Sequence, residues 1–313
     1  MPSILAKVAV VATTALALTL SGCAQQAPSA VNTDGWPEKL VFAAVPAEES
    51  SSLVESYATI ISLLEQELGL DVEFAQVSDY EGIIDGQTSG SIDIAQYGPF
   101  SYVVAGIRGA DIEVVGVMTD GPDIEPGYQS YMVTQGNNAS ITSIDDAAGK
   151  IVCFVDPAST SGYLYPSAGL LSVGIDPETG VSPVFAGAHD ASALSVVSGE
   201  CDAGFASDSV IDKNLIESGD LTAGDLKIVW KSEVIAGSPL AMQAKLPQSL
   251  KDEIRRIIIE QANIDALVSL GICDSAETCD ITDQNVWGFV SKPDSFFDGV
   301  RRVCEVTRSA KCE

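Results

Sequence analysis

Residues 156–163, Asp-Pro-Ala-Ser-Thr-Ser-Gly-Tyr, place three consecutive hydroxyls on a turn that follows the apolar run Ile151–Val155. A turn that leaves a strand and opens a helix points unpaired backbone N–H donors outward, which suits a tetrahedral oxyanion. Ser159, Thr160 and Ser161 add hydroxyl donors without adding charge. Taken alone, the same pattern is an ordinary Ser/Thr helix cap. Pro166 bears on where the helix begins. A proline inside a helix removes a hydrogen bond and kinks it, so the helix is expected to start near Pro166 with the Ser-Thr-Ser turn before it.

The elements that must position this turn alternate between strand and helix signals. Lys39–Val45 is a strand run, and Ser50–Leu68 carries Leu53, Tyr57, Ile60, Ile61, Leu64 and Leu68 at helical spacing. The series continues with strand Val72–Gln76, helix Tyr80–Gln87, strand Ile92–Ala95, helix Pro99–Ile107 and strand Ile112–Met118. A second series runs from Ile151–Val155 through helices 166–173, 190–198 and 208–217 to strand Leu226–Trp230. Then come an apolar strand at 240–243, a long helix 248–270, and shorter helices near 282–290 and 296–304. Such alternation implies an α/β chain with parallel strands and helical crossovers. The extended stretches 128–134 and 234–239 bracket the middle series, which predicts two lobes joined by two hinge crossings that close over a ligand.

The N-terminus and the composition narrow the setting. Lys7 precedes an apolar run, Val8–Leu20, too short to span a bilayer, and Leu20-Ser21-Gly22-Cys23 resembles a bacterial lipobox. The expected layout is a signal peptide at 1–22, a lipidated tether at 23–37 starting with Cys23, and a soluble body. Within that body, 38–133 form the first part of lobe 1, 134–235 lobe 2, and 236–313 the return to lobe 1 with a Cys-bearing tail. The formal charge is −28 and becomes −29 without residues 1–22, which hold Lys7 and no acid. So acidic a surface argues against nucleic acid or anionic lipid as partners, and an anionic ligand must be held by local donors. Of the seven cysteines, six remain beyond Cys23: Cys153, Cys201, Cys273, Cys279, Cys304 and Cys312. In an exported chain these imply three disulfides. Cys273–Cys279 and Cys304–Cys312 would each close a short loop, leaving Cys153 and Cys201 to bridge neighbouring strands. No Cys-x-x-Cys spacing points to a metal, and no Gly-x-Ser-x-Gly elbow points to a hydrolase, so neither a cofactor nor an enzyme is expected.

Several short motifs then occur in an order that resembles a family. They are Asp79-Tyr80-Glu81-Gly82, Asp93-Ile94-Ala95-Gln96-Tyr97-Gly98-Pro99, Pro126-Gly127-Tyr128, the Asp156–Tyr163 turn, Gly187-Ala188-His189-Asp190-Ala191 with Cys201-Asp202-Ala203-Gly204, and Trp230-Lys231-Ser232 with Gly237-Ser238-Pro239. Across roughly residues 39–265 the chain resembles the substrate-binding proteins of phosphonate and phosphite ABC importers. The resemblance implies a type II-like periplasmic-binding-protein fold and an exported protein, lipid-anchored at the outer face of the membrane, with a permease and an ATPase as partners. It also implies a phosphonate group on Ser159, Thr160 and Ser161, with Tyr97 and His189 completing its shell. Tyr128 is a further candidate and Tyr80 a weaker one. His189, the only histidine, would donate from one ring nitrogen and, if protonated, neutralise charge. Where relatives place carboxylates near a ligand amine, this chain has Ser209 and Ser238, with Asp208 adjacent. That departure points to an amine-free ligand, phosphite or methylphosphonate, ahead of phosphate, whose fourth oxygen needs partners of its own.

Overall fold

The computed structural model describes residues 35–47, 53–284 and 286–312. The signal, lipobox and most of the tether lie outside the described residues.

Strands β1 (Lys39–Ala44), β2 (Asp71–Phe74), β3 (Ile94–Gln96) and β4 (Ile112–Thr119) precede a short strand β5 (Gly127–Tyr128). The middle of the chain gives β6 (Ser130–Gln135), β7 (Ile151–Phe154), β8 (Ser182–Phe185), β9 (Ala203–Ser207) and β10 (Leu226–Lys231). A second short strand, β11 (Ile235–Ala236), leads to β12 (Pro239–Gln243) and, much later, β13 (Gly288–Val290). Two sheets result, ordered β13-β4-β12-β3-β1-β2 and β10-β6-β9-β7-β8. In the first, β1 runs parallel to β2 and β3, while β12 is antiparallel to both β3 and β4. In the second, β7 is parallel to β8 and β9, while β6 is antiparallel to β9 and β10.

Each sheet is buried on both faces, so its central strands read as continuous apolar runs. In β1, Leu40, Phe42 and Ala44 pack with Ile60, Leu64, Ile254 and Ile257, whereas Ala43 and Val45 face Ile83, Ile84 and Val104 on the opposite side. In the second sheet, Val152 and Phe154 share one core with Phe205, and Cys153 shares the other with Val133 and Val196. The period of two along a strand sorts these side chains between two cores.

The two crossings are tied to each other. β5 and β11 form an antiparallel ladder, with Tyr128 opposite Ile235 and Gly127 opposite Ala236. Gly237 follows at a close approach, since a Cβ there would lie 2.7 Å from the Met118 carbonyl and 2.9 Å from Pro126 Cβ. A division after residue 133 would cut β6, which pairs wholly within the second sheet. The crossing therefore precedes Ser130.

Three helical expectations differ from the structure. The long helix divides into Gln248–Glu260 and Ile264–Ser269, because Asn263 turns extended and its side chain accepts from Ala266 N as the cap of the second piece. Where a helix is expected near 282–290, the chain instead forms an edge strand, β13, on β4. Tyr57 separates Leu53–Ser56 from Ala58–Leu68. Among the described residues no helix is long and apolar enough to cross a membrane.

Disulfides join Cys153 to Cys201, Cys273 to Cys279 and Cys304 to Cys312. The first ties β7 to the residue two before β9 and closes a loop with a sequence separation of 48. Such a loop restricts the unfolded chain most. A double Cys153→Ala/Cys201→Ala variant is expected to lose about 2–4 kcal/mol of unfolding free energy, read as a lower urea midpoint at unchanged slope.

Candidate functional site

The Ser-Thr-Ser turn is shaped by what Pro166 cannot do. Proline has no N–H to donate to the Gly162 carbonyl, which instead accepts from Val155 N at 3.2 Å. The turn is wide: Leu164 N donates to Ser159 O, five residues back, at 3.0 Å, and Tyr165 N donates to Thr160 O. The regular helix Tyr165–Ser172 follows, with Pro166 in its first turn. Ser159 caps the turn, its Oγ accepting from Gly162 N at 3.1 Å. A Cβ on Gly162 would lie 2.3 Å from the Val155 side chain, so only glycine lets the turn sit this close to its strand. By position, the N–H groups of Thr160 and Ser161 precede any acceptor inside the turn.

Residues from both sheets meet this turn. Phe100 N, at the start of helix Pro99–Ile107, donates to Thr160 Oγ1 at 2.8 Å. His189 N donates to the Ala47 carbonyl at 2.8 Å, and Asn214 Nδ2 to the Asp283 carbonyl at 2.7 Å. These contacts hold the two sheets together around a small cavity of about 20 Å³. Its walls include Tyr80, Tyr128, Ser159, Thr160, Ser161, His189, Ser207, Ser238, Asp283 and Gln284. Among the described residues no Lys or Arg lines it.

The lining supplies neutral donors. The Tyr80 hydroxyl meets Ser159, and that of Tyr128 meets Thr160 and Ser161; burial pushes both phenols well above their ordinary range, so they stay protonated. His189 Nδ1 accepts from Ser207 N at 3.0 Å, which leaves the ring proton on Nε2. Burial also lowers its pKa to about 4. In this structure the ring is a neutral donor, and the charge that His189 would neutralise if protonated is not supplied, because a second proton would have to displace the Ser207 N–H.

Two other expected residues lie elsewhere. Tyr97 is fully buried behind the cavity, where its hydroxyl donates to Gln87 Oε1 at 3.1 Å and its ring meets Tyr102 edge-on. It follows β3, and its side chain packs into the core shared by helices 80–89 and 99–107. Tyr80 takes the place in the cavity wall that was expected of Tyr97. Asp208 lines a neighbouring cavity of about 150 Å³ together with Asp120, Asp212 and Lys213. Its carboxylate accepts from Gln129 N and Ser209 N, each at 2.9 Å, and so braces the first crossing. Tyr128, Ser238 and Gln284 line both cavities. Asp283 and Gln284 belong to no motif, and only the fold of the Cys-bearing tail brings them here.

Residues 42–273 match the family described as "ABC transporter, phosphonate, periplasmic substrate-binding protein". The chain belongs to that family. It is the substrate-binding component of an ABC importer, which acts outside the cytoplasm, and it is not an enzyme. It is 44% identical over 306 residues to the phosphate-import protein PhnD of Mycolicibacterium smegmatis, covering 95% of each chain. It is 29% identical over 219 residues to the phosphonates-binding periplasmic protein of Escherichia coli, covering 69% of this chain and 64% of that protein. The fold is similar to that of PhnD1 from Prochlorococcus marinus, solved with methylphosphonate. The TM-score is 0.75 at 21% identity, with 87% of this chain and 99% of that one covered.

Two measurements test the placement. Tyr97→Phe is expected to lower stability by about 1 kcal/mol while leaving ligand affinity within about threefold, whereas Tyr80→Phe and Tyr128→Phe each weaken binding about tenfold. Binding calorimetry and thermal melts read both effects. The unfolded chain takes up a proton at His189 near its ordinary pKa of 6.5, well before the folded form does at about 4. Its contribution is thus complete above 6.5 and lost as pH falls toward 4. Burial raises the Asp283 carboxyl to about 6, so its slope is opposite, favouring the fold at low pH. Comparison with His189→Asn removes the His189 part alone: the wild type is expected to lose stability relative to that variant as pH drops through this window.

Proposed function

We propose that the cavity captures a small tetrahedral phosphorus oxyanion without an amine: phosphate, phosphite or methylphosphonate. The observation that carries this is the convergence of neutral donors from both sheets on one small space. They are Ser159, Thr160 and Ser161 with the backbone of their turn, Tyr80, Tyr128 and His189 Nε2. Dehydrating an anion in such a space is tolerable only where hydrogen-bond donors replace its water. Ser209 and Ser238 leave no side-chain carboxylate at the two positions where one would meet an amine. The mycobacterial relative's name supports keeping phosphate, ranked lower from the sequence, among these ligands. The acidic neighbouring cavity favours a second reading, in which a longer substituent, amine included, extends toward Asp120, Asp208 and Asp212.

In this reading the lobes are the two sheets with their helices, and the β5–β11 ladder is the hinge between them. Closure buries the ligand and presents a closed surface to the permease, whose ATPase drives uptake. Cys23 carries the lipid that holds the protein at the outer face of the membrane.

The soluble body from Trp36 is to be melted with phosphate, phosphite, methylphosphonate, aminoethylphosphonate and sulfate. Ligand at about a thousand times its dissociation constant adds ~4 kcal/mol and moves the midpoint by several degrees. A shift with the amine-free phosphorus oxyanions is the expected result. The largest shift with aminoethylphosphonate would assign the neighbouring cavity to an amine, and no shift with any phosphorus compound would remove the reading.

A further inference from the structure

An anion cavity is an unfavourable place for a carboxylate, yet Asp283 lines this one. It lies beyond the family match, which ends at residue 273, and is only 8% exposed. Its Oδ1 accepts from the Tyr57 hydroxyl at 2.7 Å, and its backbone carbonyl accepts from Asn214 Nδ2 at 2.7 Å, which fixes it from both sides of the cleft. Among the described residues, only that hydroxyl and the residue's own N–H address the carboxylate. The groups around it are Tyr57, Tyr80, Tyr128 and His189, with Asp120, Asp208, Asp212 and Lys213 in the neighbouring cavity. Among the described residues no Lys or Arg lines its own cavity. A bare carboxylate against a fully ionised ligand would be a like-charge contact away from water, which drives one of the two to hold a proton. A shared proton turns that contact into a charge-assisted hydrogen bond.

We propose that Asp283 reads the protonation state of the ligand: the cavity takes tetrahedral oxyanions that share one proton with this carboxylate. Hydrogen phosphate and singly protonated phosphite or methylphosphonate qualify, and sulfate, with no proton to share, is rejected. The proposal rests on the oxyanion reading above and gives a protonated fourth oxygen of phosphate its own partner. Burial raises the Asp283 carboxyl only to about 6, so above that pH the shared proton must come from the ligand. Sites built around a ligand hydroxyl discriminate strongly against analogues that lack it, because the buried partner is left unpaired.

Calorimetric affinities of the wild-type body for phosphate, methylphosphonate and sulfate, from about pH 6 to about pH 9, test this, with Asp283→Asn as the variant. Phosphate is expected to bind at least ~100-fold tighter than sulfate. Methylphosphonate, which sheds its last proton in this range, should weaken relative to phosphate as pH rises, by about tenfold per pH unit above that ionisation. In Asp283→Asn, whose amide donates, sulfate should gain at least ~10-fold and the methylphosphonate profile should flatten. Wild-type binding of sulfate within about threefold of phosphate overturns the proposal, as does a folded Asp283→Asn protein with unchanged selectivity and pH profile. If the variant does not fold, the wild-type profile decides alone. Wild-type protein that binds no phosphorus oxyanion would instead remove the parent reading.

Discussion

In the proposed reading an anion is held without a cation, which calls for donors that are neutral, numerous and correctly aimed, and this constraint organises the site. The chain carries 44 acidic and 16 basic residues, and among the described residues no basic one lines the cavity. Each donor must therefore be held in place before the ligand arrives, because a loosely placed hydroxyl costs ordering entropy when it binds. The hydrogen bonds within the site do this ordering. Phe100 N holds Thr160 Oγ1, Gly162 N holds Ser159 Oγ, and Ser207 N holds the His189 ring in the tautomer that presents Nε2–H.

Because no single element carries all these donors, the site exists only when the sheets come together. Tyr80 belongs to the first sheet's helices, the Ser-Thr-Ser turn and His189 to the second, and Tyr128 to the crossing between them. The β5–β11 ladder lets the crossings move as a paired ribbon, a geometry suited to hinge closure. The tail adds a brace. Phe297, Val300 and Cys304 pack in one core with Val104 of the first sheet's helices and with Leu164 and Tyr165 behind the Ser-Thr-Ser turn. The Cys304–Cys312 disulfide ends that brace, so the segment outside the family match supports the Ser-Thr-Ser turn from behind.

Read as sequence, the strand–helix alternation was legible because apolar period and glycine stops act locally. The edge strand β13 was not, since a three-residue strand is defined by the partner it pairs with and not by its own pattern. The break at Asn263 was equally hidden: Ile257, Ile258 and Leu267 continue the apolar spacing, and only the extended backbone at Asn263 ends the first helix. In the site, the Ser-Thr-Ser turn and His189 were visible as motifs. Tyr97 and Tyr80 were both visible as aromatics, but which hydroxyl faces the cavity depends on packing against Gln87 and Ser159.

By itself, then, the sequence determined most of the element types, the donor-rich turn with its glycine and proline, and the family, because these reside in short contiguous stretches. The tertiary structure decided which side chains converge. It moved Tyr97 into the core, gave Asp208 to the crossing, and made His189 a neutral donor through a backbone N–H contributed 18 residues away. It also carried Asp283 from the far end of the chain into the wall of the small cavity. Burial and hydrogen-bond partners set charge and tautomer, and both are properties of the folded neighbourhood that no local spacing encodes.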